Sequence, residues 1–371
     1  MRPLSRAFLA VFLTTCAFTA FGAAGCGKSG GSTAPGPSPV TRTWRMGFSG
    51  IPPVPDQTVA VNAIFQWATR ADAAIAHEGV PWDSLLAGVP PDTLARRYLD
   101  LMHYYRLVAH HEIVFEVDPT DGLSRADEDP KLVAAGRSIS EPAVRALYVR
   151  WVTAVDTIIH PEYLGLASEV NLVRAAGPSV YASLAPMARQ AADSLRALHA
   201  RRPDLPEPEL YATIQVETVW GRLGPPGWQG VASELADFPF ADAWGLSSYP
   251  YLGGFAEPED IPLDYYSRIR DGVGKPVMVI EGGWASVPYG GNNATPAQQA
   301  RYVRHHARLL DQAAAIAVFD LTYADLALST WPSPPTGSLV PFAHLGVVDS
   351  ALTAKPAQGT WDSLFARTRV N

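Results

Sequence analysis

Eight short apolar runs, separated by longer stretches of helical periodicity, constrain this chain more than any other feature. The runs are WRMGFS (44–49), DAAIAHE (72–78), EIVFEVD (112–118), YLGLASEVN (163–171), LYATIQVE (210–217), DAWGLSSYPY (242–251), PVMVIEGGW (276–284) and AIAVFDLTY (315–323). A run that is apolar on both faces reads as a strand buried in a parallel sheet. Between the runs, PDTLARRYLDLMHYYRLVAHH (91–111), SEPAVRALYVRWVTAVDTII (140–159) and TPAQQARYVRHHARLLDQAAA (295–315) read as helices. Ser140 ahead of Glu141-Pro142 and Thr295 ahead of Pro296 each place an N-cap residue before a first-turn proline. Repeated strand-then-helix order predicts a parallel sheet. Eight such units fit one α/β domain folded as a single (β/α)8 barrel, a TIM barrel, which usually needs about 250 residues. An open doubly wound sheet is the competing arrangement, but no glycine-rich fingerprint follows the first run.

The first residues stand outside this pattern. Arg2 and Arg6 precede FLAVFLTTCAFTAFGAA, which is too short for a membrane span and has the form of a signal-peptide core. It closes on Ala23-Ala24-Gly25-Cys26, which resembles a bacterial lipoprotein signal. That resemblance implies cleavage before Cys26 and lipidation of its thiol, which would hold the protein to a membrane. A plain secretory signal cut elsewhere is the alternative. The segment KSGGSTAPGPSPVT (28–41) is small, polar and rich in proline and glycine, as a flexible tether is. The expected organisation is a signal peptide over 1–25, a lipidated cysteine and linker over 26–42, and one domain over 43–371, exported to the cell envelope. The chain has 2 cysteines, Cys16 and Cys26, so on this reading no disulfide or thiolate metal site remains.

Net charge is -7 at pH 7, with 18% charged and 47% hydrophobic residues, so a large core is available and no basic excess to hold nucleic acid. In a (β/α)8 barrel the chemistry lies at the C-terminal ends of the strands. Here those ends carry His77, Asp118, Ser168, Glu169, Asn171, Glu217, Tyr249, Glu281, Trp284 and Tyr323, with Trp82, Trp220 and Trp228 in the loops that follow. Carboxylates ringed by aromatics suit glycoside cleavage. One carboxyl protonates the leaving oxygen, a second attacks or stabilises the oxocarbenium-like centre, and flat rings stack on sugar faces.

The segments GLASEVN, GLSSYPY and KPVMVIEGGW, in that order, resemble the large clan of retaining glycoside hydrolases built on (β/α)8 barrels. The endo-β-1,4-galactanase family is the nearest in likeness, and β-mannanase-like members come next. The resemblance implies Glu169 on strand four as acid/base, Glu281 on strand seven as nucleophile, and Tyr249 with its hydroxyl against the nucleophile. Two departures stand out. Ser168 replaces the asparagine that usually precedes the acid/base and binds the sugar 2-hydroxyl, with Asn171 a little later. The eighth run also lacks the usual tryptophan, leaving Tyr323 or Trp331 to serve.

The carboxyl pair is then expected about 5 to 5.5 Å apart, the separation of retaining enzymes. Nearby negative charge and desolvation should keep Glu169 protonated, while Tyr249 keeps Glu281 ionised. Trp284, Tyr249, Ser168, Asn171, His77, Asp118, Trp82, Trp220 and Tyr323 are the candidate substrate contacts. The partner is a polysaccharide or oligosaccharide, the protein is expected to be a monomer, and no cofactor or metal is called for. His110-His111 and His305-His306 sit on helical stretches where neighbours point apart, which suits surface or core positions better than ligation. A glycan-binding lipoprotein without turnover is the second reading, motivated by Ser168. A transporter's solute-binding lipoprotein is a third, set against by the single-barrel strand order.

Overall fold

The computed structural model describes residues 41–331 and 337–370. The signal peptide, Cys26 and nearly all of the tether fall outside the described residues. No helix among the described residues is long and apolar enough to cross a membrane.

All eight apolar runs form strands: β1 (Arg45–Ser49), β2 (Ala73–Gly79), β3 (Glu112–Asp118), β4 (Tyr163–Gly165), β5 (Glu209–Gln215), β6 (Ala243–Ser248), β7 (Val277–Gly282) and β8 (Ala317–Asp320). They pair in sequence order, all parallel, and β8 returns to β1, which closes the barrel and excludes the open doubly wound sheet. Several runs are longer than the strands they contain. Only Tyr163–Gly165 of YLGLASEVN is strand, and Val170–Ala176 is already helical. Glu217 likewise falls in the short helix Val216–Val219 beyond β5.

The strands separate two apolar layers. Ala73, Ile75, Val114, Tyr211, Met278, Ile280, Ala317 and Phe319 fill the barrel interior as one cluster. The opposite strand faces join a larger cluster with the helices, which include α1 (Gln57–Ala68), α2 (Pro142–Ile159), α3 (Pro178–Arg201), α4 (Pro296–Ala313) and α5 (Pro356–Phe365). Thr295 caps α4 as its sequence suggests, accepting from the Gln298 amide. The N-cap of α2 is Glu141, one residue later than expected, and not Ser140. Glu141 turns its carboxylate back to Arg137 and the Ser138 amide, which settles the entry without a hydroxyl cap. The 91–111 stretch is helical in pieces, with a 3-10 turn at Arg96–Tyr98 and a π turn at Tyr104–Val108. The ends of the described segment meet beneath the barrel, where Thr41–Arg42 pairs with Thr368–Arg369 and Arg42 ion-pairs with Asp72 at 2.6 Å.

The interior leaves no room for added bulk at β4. A Cβ on Gly165 would lie 2.6 Å from the Tyr211 ring, and Tyr211 in turn reaches Glu116. Gly165→Ala should therefore destabilise the protein by about 1–3 kcal/mol through overpacking, read as a lowered midpoint in thermal or urea unfolding. An unchanged midpoint would show that the barrel interior is slack at this level.

Candidate active site

The C-terminal mouth of the barrel holds a cleft of about 500 Å³ lined by carboxyl groups from four strands and the loops that follow. Glu281 reaches it because β7 carries a bulge. Leu246 pairs with Val279 but Ser247 pairs with Glu281, so Ile280 is one residue too many on β7. Strict alternation from Met278 and Ile280, both packed inside the barrel, would point Glu281 outward. The extra residue resets the phase and turns Glu281 to the cleft. Gly282 follows because a Cβ there would lie 2.5 Å from the Ser248 carbonyl oxygen. Tyr249, just past β6, donates a short hydrogen bond from its hydroxyl to Glu281 Oε1.

Glu169 enters from beyond β4 in a left-handed conformation, φ 43° and ψ 47°, which costs a non-glycine residue about 1–3 kcal/mol. Its amide donates to Thr213 Oγ1 at 2.6 Å, and its carbonyl accepts from the Leu172 and Val173 amides, so the turn is held from both sides. Arg125, itself left-handed at φ 55°, clamps the side chain. Its Nε donates to Glu169 Oε2 at 2.8 Å, and its Nη1 makes a short ion pair with Asp118. Asp118 accepts from the Thr120 amide at 2.9 Å and hydroxyl at 2.8 Å. A third carboxyl, Glu116 of β3, accepts a short hydrogen bond from Ser168 and lies 3.9 Å from the His77 ring.

Burial dominates the electrostatics. It raises Glu169, whose neighbour Glu281 pushes the same way against Arg125, and it raises Glu281 against the opposing Tyr249 hydroxyl and Arg125. For Glu169 the charge on Glu281 adds to burial in disfavouring ionisation. Arg125 adds a cation that the sequence did not mark: it bonds Glu169 and opposes the rise of both carboxyls, while Tyr249 bonds Glu281. Burial also lifts Glu116 to about 8 and Glu78 to about 7, and lowers His77 to about 4, leaving its ring neutral at pH 7.

The cleft brings together His77, Asp118, Ser168, Glu169, Tyr249 and Glu281. Five other candidates lie elsewhere. Trp284 is 1% exposed and packs on Tyr302 and Tyr251, so it is no sugar platform in this conformation. Trp82 is fully buried. Trp220 stacks on Tyr265, with the Arg268 guanidinium 5.1 Å from its ring centre. Tyr323 packs edge-on against Phe48 and donates to Gln66. Asn171 clamps β5, donating to the Gln215 carbonyl at 2.9 Å and accepting from its amide at 2.8 Å. Glu217 is buried and accepts from Ser248 and Tyr265.

Of the paired histidines, His111, His305 and His306 are buried, and no group of three His, Cys, Asp or Glu among the described residues is arranged to hold a metal. Glu78 and Trp331, the latter offered in place of the missing tryptophan of the eighth run, also line the cleft, and so do Arg125, Glu116 and Phe342, which were not singled out from the sequence. Period-two alternation from Asp118 does place Glu116 on the cleft face. No periodic signal marks Arg125, which sits in a loop.

No protein-family model matches the sequence, and no curated protein does. Solved structures share the fold. A β-glucuronidase from an uncultured Clostridium aligns over 87% of this chain and 50% of its own, with 14% identity and a TM-score of 0.55. An exo-β-1,4-mannosidase from an Opitutaceae bacterium aligns over 88% and 59%, with 14% identity and a TM-score of 0.56. A GH5_18 protein of Bifidobacterium longum, in complex with Manβ1-4GlcNAc, aligns over 88% and 80%, with 13% identity and a TM-score of 0.56. The chain thus spans about half the length of the glucuronidase, and the likeness at these identities is one of fold.

Two measurements probe this electrostatic design. Arg125→Ala leaves Asp118 and Glu169 buried without their cation and should cost about 3–5 kcal/mol at neutral pH. Glu169, already raised by burial and by Glu281, would lose the cation that opposes that rise, so the deficit should shrink as pH falls towards 4 and grow as it rises. A deficit independent of pH would mean that Arg125 serves packing alone. In the unaltered protein, Glu116, Glu78, Glu217 and Asp320 are all raised, to between about 7 and about 8. Their stabilising contribution is complete below the unfolded carboxyl range and lost as pH rises through those values. His77 and His306, lowered to about 4 and about 3, act oppositely only below the unfolded histidine value of 6.5. Stability should therefore decline from pH 6.5 to 8.5, and Glu116→Gln should flatten the slope in unfolding midpoints.

Proposed function

We propose that this protein is a glycoside hydrolase that cleaves β-linked glycans by retaining double displacement. The observation that carries the reading is the convergence of Glu169, from beyond β4, and Glu281, at the end of β7, on one cleft with Tyr249 bonded to Glu281. The names of the fold's solved relatives, β-glucuronidase and exo-β-1,4-mannosidase, agree with it. The Glu281 carboxylate attacks the anomeric carbon, and the bond to the glycosidic oxygen breaks with its electron pair passing to that oxygen. Glu169 supplies the oxygen's proton. Water then gives a proton to Glu169 and adds to the anomeric carbon, releasing Glu281. For the first step Glu169 must hold the proton of the pair, with Arg125 retained by Asp118.

The finer reading is an endo-acting enzyme on galactan-like or mannan-like chains, working as a monomer. It is exported and tethered through a lipid on Cys26, at the periplasmic or outer face of the envelope. A second reading, a glycan-binding protein without turnover, draws on one observation. Arg125 holds Glu169 in an ion pair that favours the ionised acid, the state unable to protonate a leaving group.

Hydrolysis of galactan, mannan, xylan and β-glucan by the protein, beside Glu281→Ala and Glu169→Ala, tests the reading. We expect activity on one polymer, and a fall of about 10²–10⁴ in kcat for each variant. On an aryl glycoside with a good leaving group, Glu169→Ala should form a β-glycosyl azide when azide is added, and the first product seen by NMR should keep its anomeric configuration. Inversion would refute double displacement. Binding of one polymer without cleavage, unaffected by either substitution, would establish the second reading.

A further inference from the structure

We infer that the cleft accepts neutral sugar rings and rejects uronic acids at the reacting position. The inference rests on the glycosidase reading and names the substrate class of the same site.

Six carboxyl groups line the cleft: Glu78, Glu116, Asp118, Asp129, Glu169 and Glu281. Arg125 is the one Lys or Arg among the described lining residues. Its charge is committed, because Nε bonds Glu169 at 2.8 Å and Nη1 bonds Asp118. Those two acids already outnumber the guanidinium that joins them. Arg125 is only 7% exposed, so it cannot swing away to meet a third carboxylate without breaking a buried pair.

The surroundings do not correct the balance. His77 is neutral at pH 7 through burial. A smaller chamber of about 270 Å³ adjoins the cleft behind His77 and Glu78, and it carries Arg97 together with Asp100, adding no net charge. Lys131, the nearest lysine in sequence to Arg125, lies 3.9 Å from Asp83. Between the lining residues Trp331 and Leu339 the sequence contains no Lys, Arg or His.

A uronate would therefore bring a fixed negative charge into a region of low polarity that already holds unneutralised carboxylates. Discrimination of this kind works by repulsion as much as by fit. Neutral rings meet no such penalty. Glu116 and Glu78, lifted to about 8 and about 7 by burial, are then largely protonated at pH 6 and can donate to sugar hydroxyls. On this inference the chain parts company with the solved β-glucuronidases whose fold it shares.

The test uses the full chain in detergent solution with aryl β-glycosides of the gluco, galacto and manno series. Each sugar is presented in three forms with the same leaving group: the hydroxymethyl parent, the uronate, and the uronate methyl ester. The ester keeps nearly the shape of the acid and removes its charge. For the sugar that is cleaved, kcat/KM for the uronate should lie at least about 100-fold below that of its ester, and the ester should stay within about 10-fold of the parent. Asp129→Asn, which keeps an N-cap side chain, should narrow the acid-to-ester gap several-fold.

Uronate cleaved as fast as its ester would overturn the inference and leave the glycosidase reading standing. Rejection of ester and acid alike would also overturn it, since shape would then be the cause. If no glycoside is cleaved, the hydrolase reading fails. Calorimetric titration of the methyl β-glycosides of each acid and its ester then decides the charge selection: tighter binding of the ester sustains it, and equal, reversed or absent binding removes it.

Discussion

The buried guanidinium of Arg125 is the interaction on which the mouth of this barrel depends. Four carboxyls from three strands or strand ends, Glu116 and Asp118 of β3, Glu169 beyond β4 and Glu281 of β7, face one region that water reaches poorly. Ionising all of them there would cost far more than any local hydrogen bond returns. One cation placed between Asp118 and Glu169, and protons retained on part of the rest, reduce that cost to something a fold can bear. The backbone shows the same demand. Arg125 and Glu169 both occupy the left-handed region, strain that persists because the ion pair, the Thr213 hydroxyl and the helix starting at Val170 together fix the geometry.

Much of the architecture was legible in the sequence because the parallel barrel imposes a simple pattern. Each strand is buried on both faces, so the apolar runs stand out, and each is followed by an amphipathic helix. Where the reading overshot, the physical reason is the same in each case. YLGLASEVN and DAWGLSSYPY stay apolar past the last ladder hydrogen bond, because the loops that carry a site are themselves packed. Composition alone cannot tell a buried loop from a strand. The N-cap of α2 shows the limit of capping rules, since Glu141 satisfies the entry through Arg137 and Ser138 while Ser140 stands one residue outside.

Site residues divided along similar lines. His77, Asp118, Ser168, Tyr249 and the glutamates at 169 and 281 follow from their place at strand ends. The aromatic candidates did not follow, because a tryptophan near a strand end can turn under the rim as readily as over it. Trp284 does so, with Tyr302 and Tyr251 around it. Glu116 was readable from alternation with Asp118, whereas Arg125 was not, since its position comes from a loop held by Asp121 and the Thr120–Glu128 bridge. The bulge at Ile280 is the most instructive case. Alternation along VMVIEG places Glu281 outside the barrel, and only pairing with β6 reveals the extra residue that brings it in.

Arg125 also bears on the protonation of the carboxyl pair. While it bonds Glu169, the guanidinium favours the carboxylate of that residue, against burial and the neighbouring Glu281, which both raise its pKa. On the proposed function, a sugar entering the cleft would displace water from both carboxyls and remove the solvation that any ionised state relies on. Asp118 shares Arg125 and has the Thr120 amide and hydroxyl as further donors. Glu169 takes one side-chain donor bond from that guanidinium, and on the proposed mechanism drying of the cleft would favour its protonated form, since burial already raises its pKa. The Arg125 clamp is thus compatible with the acid role proposed for Glu169.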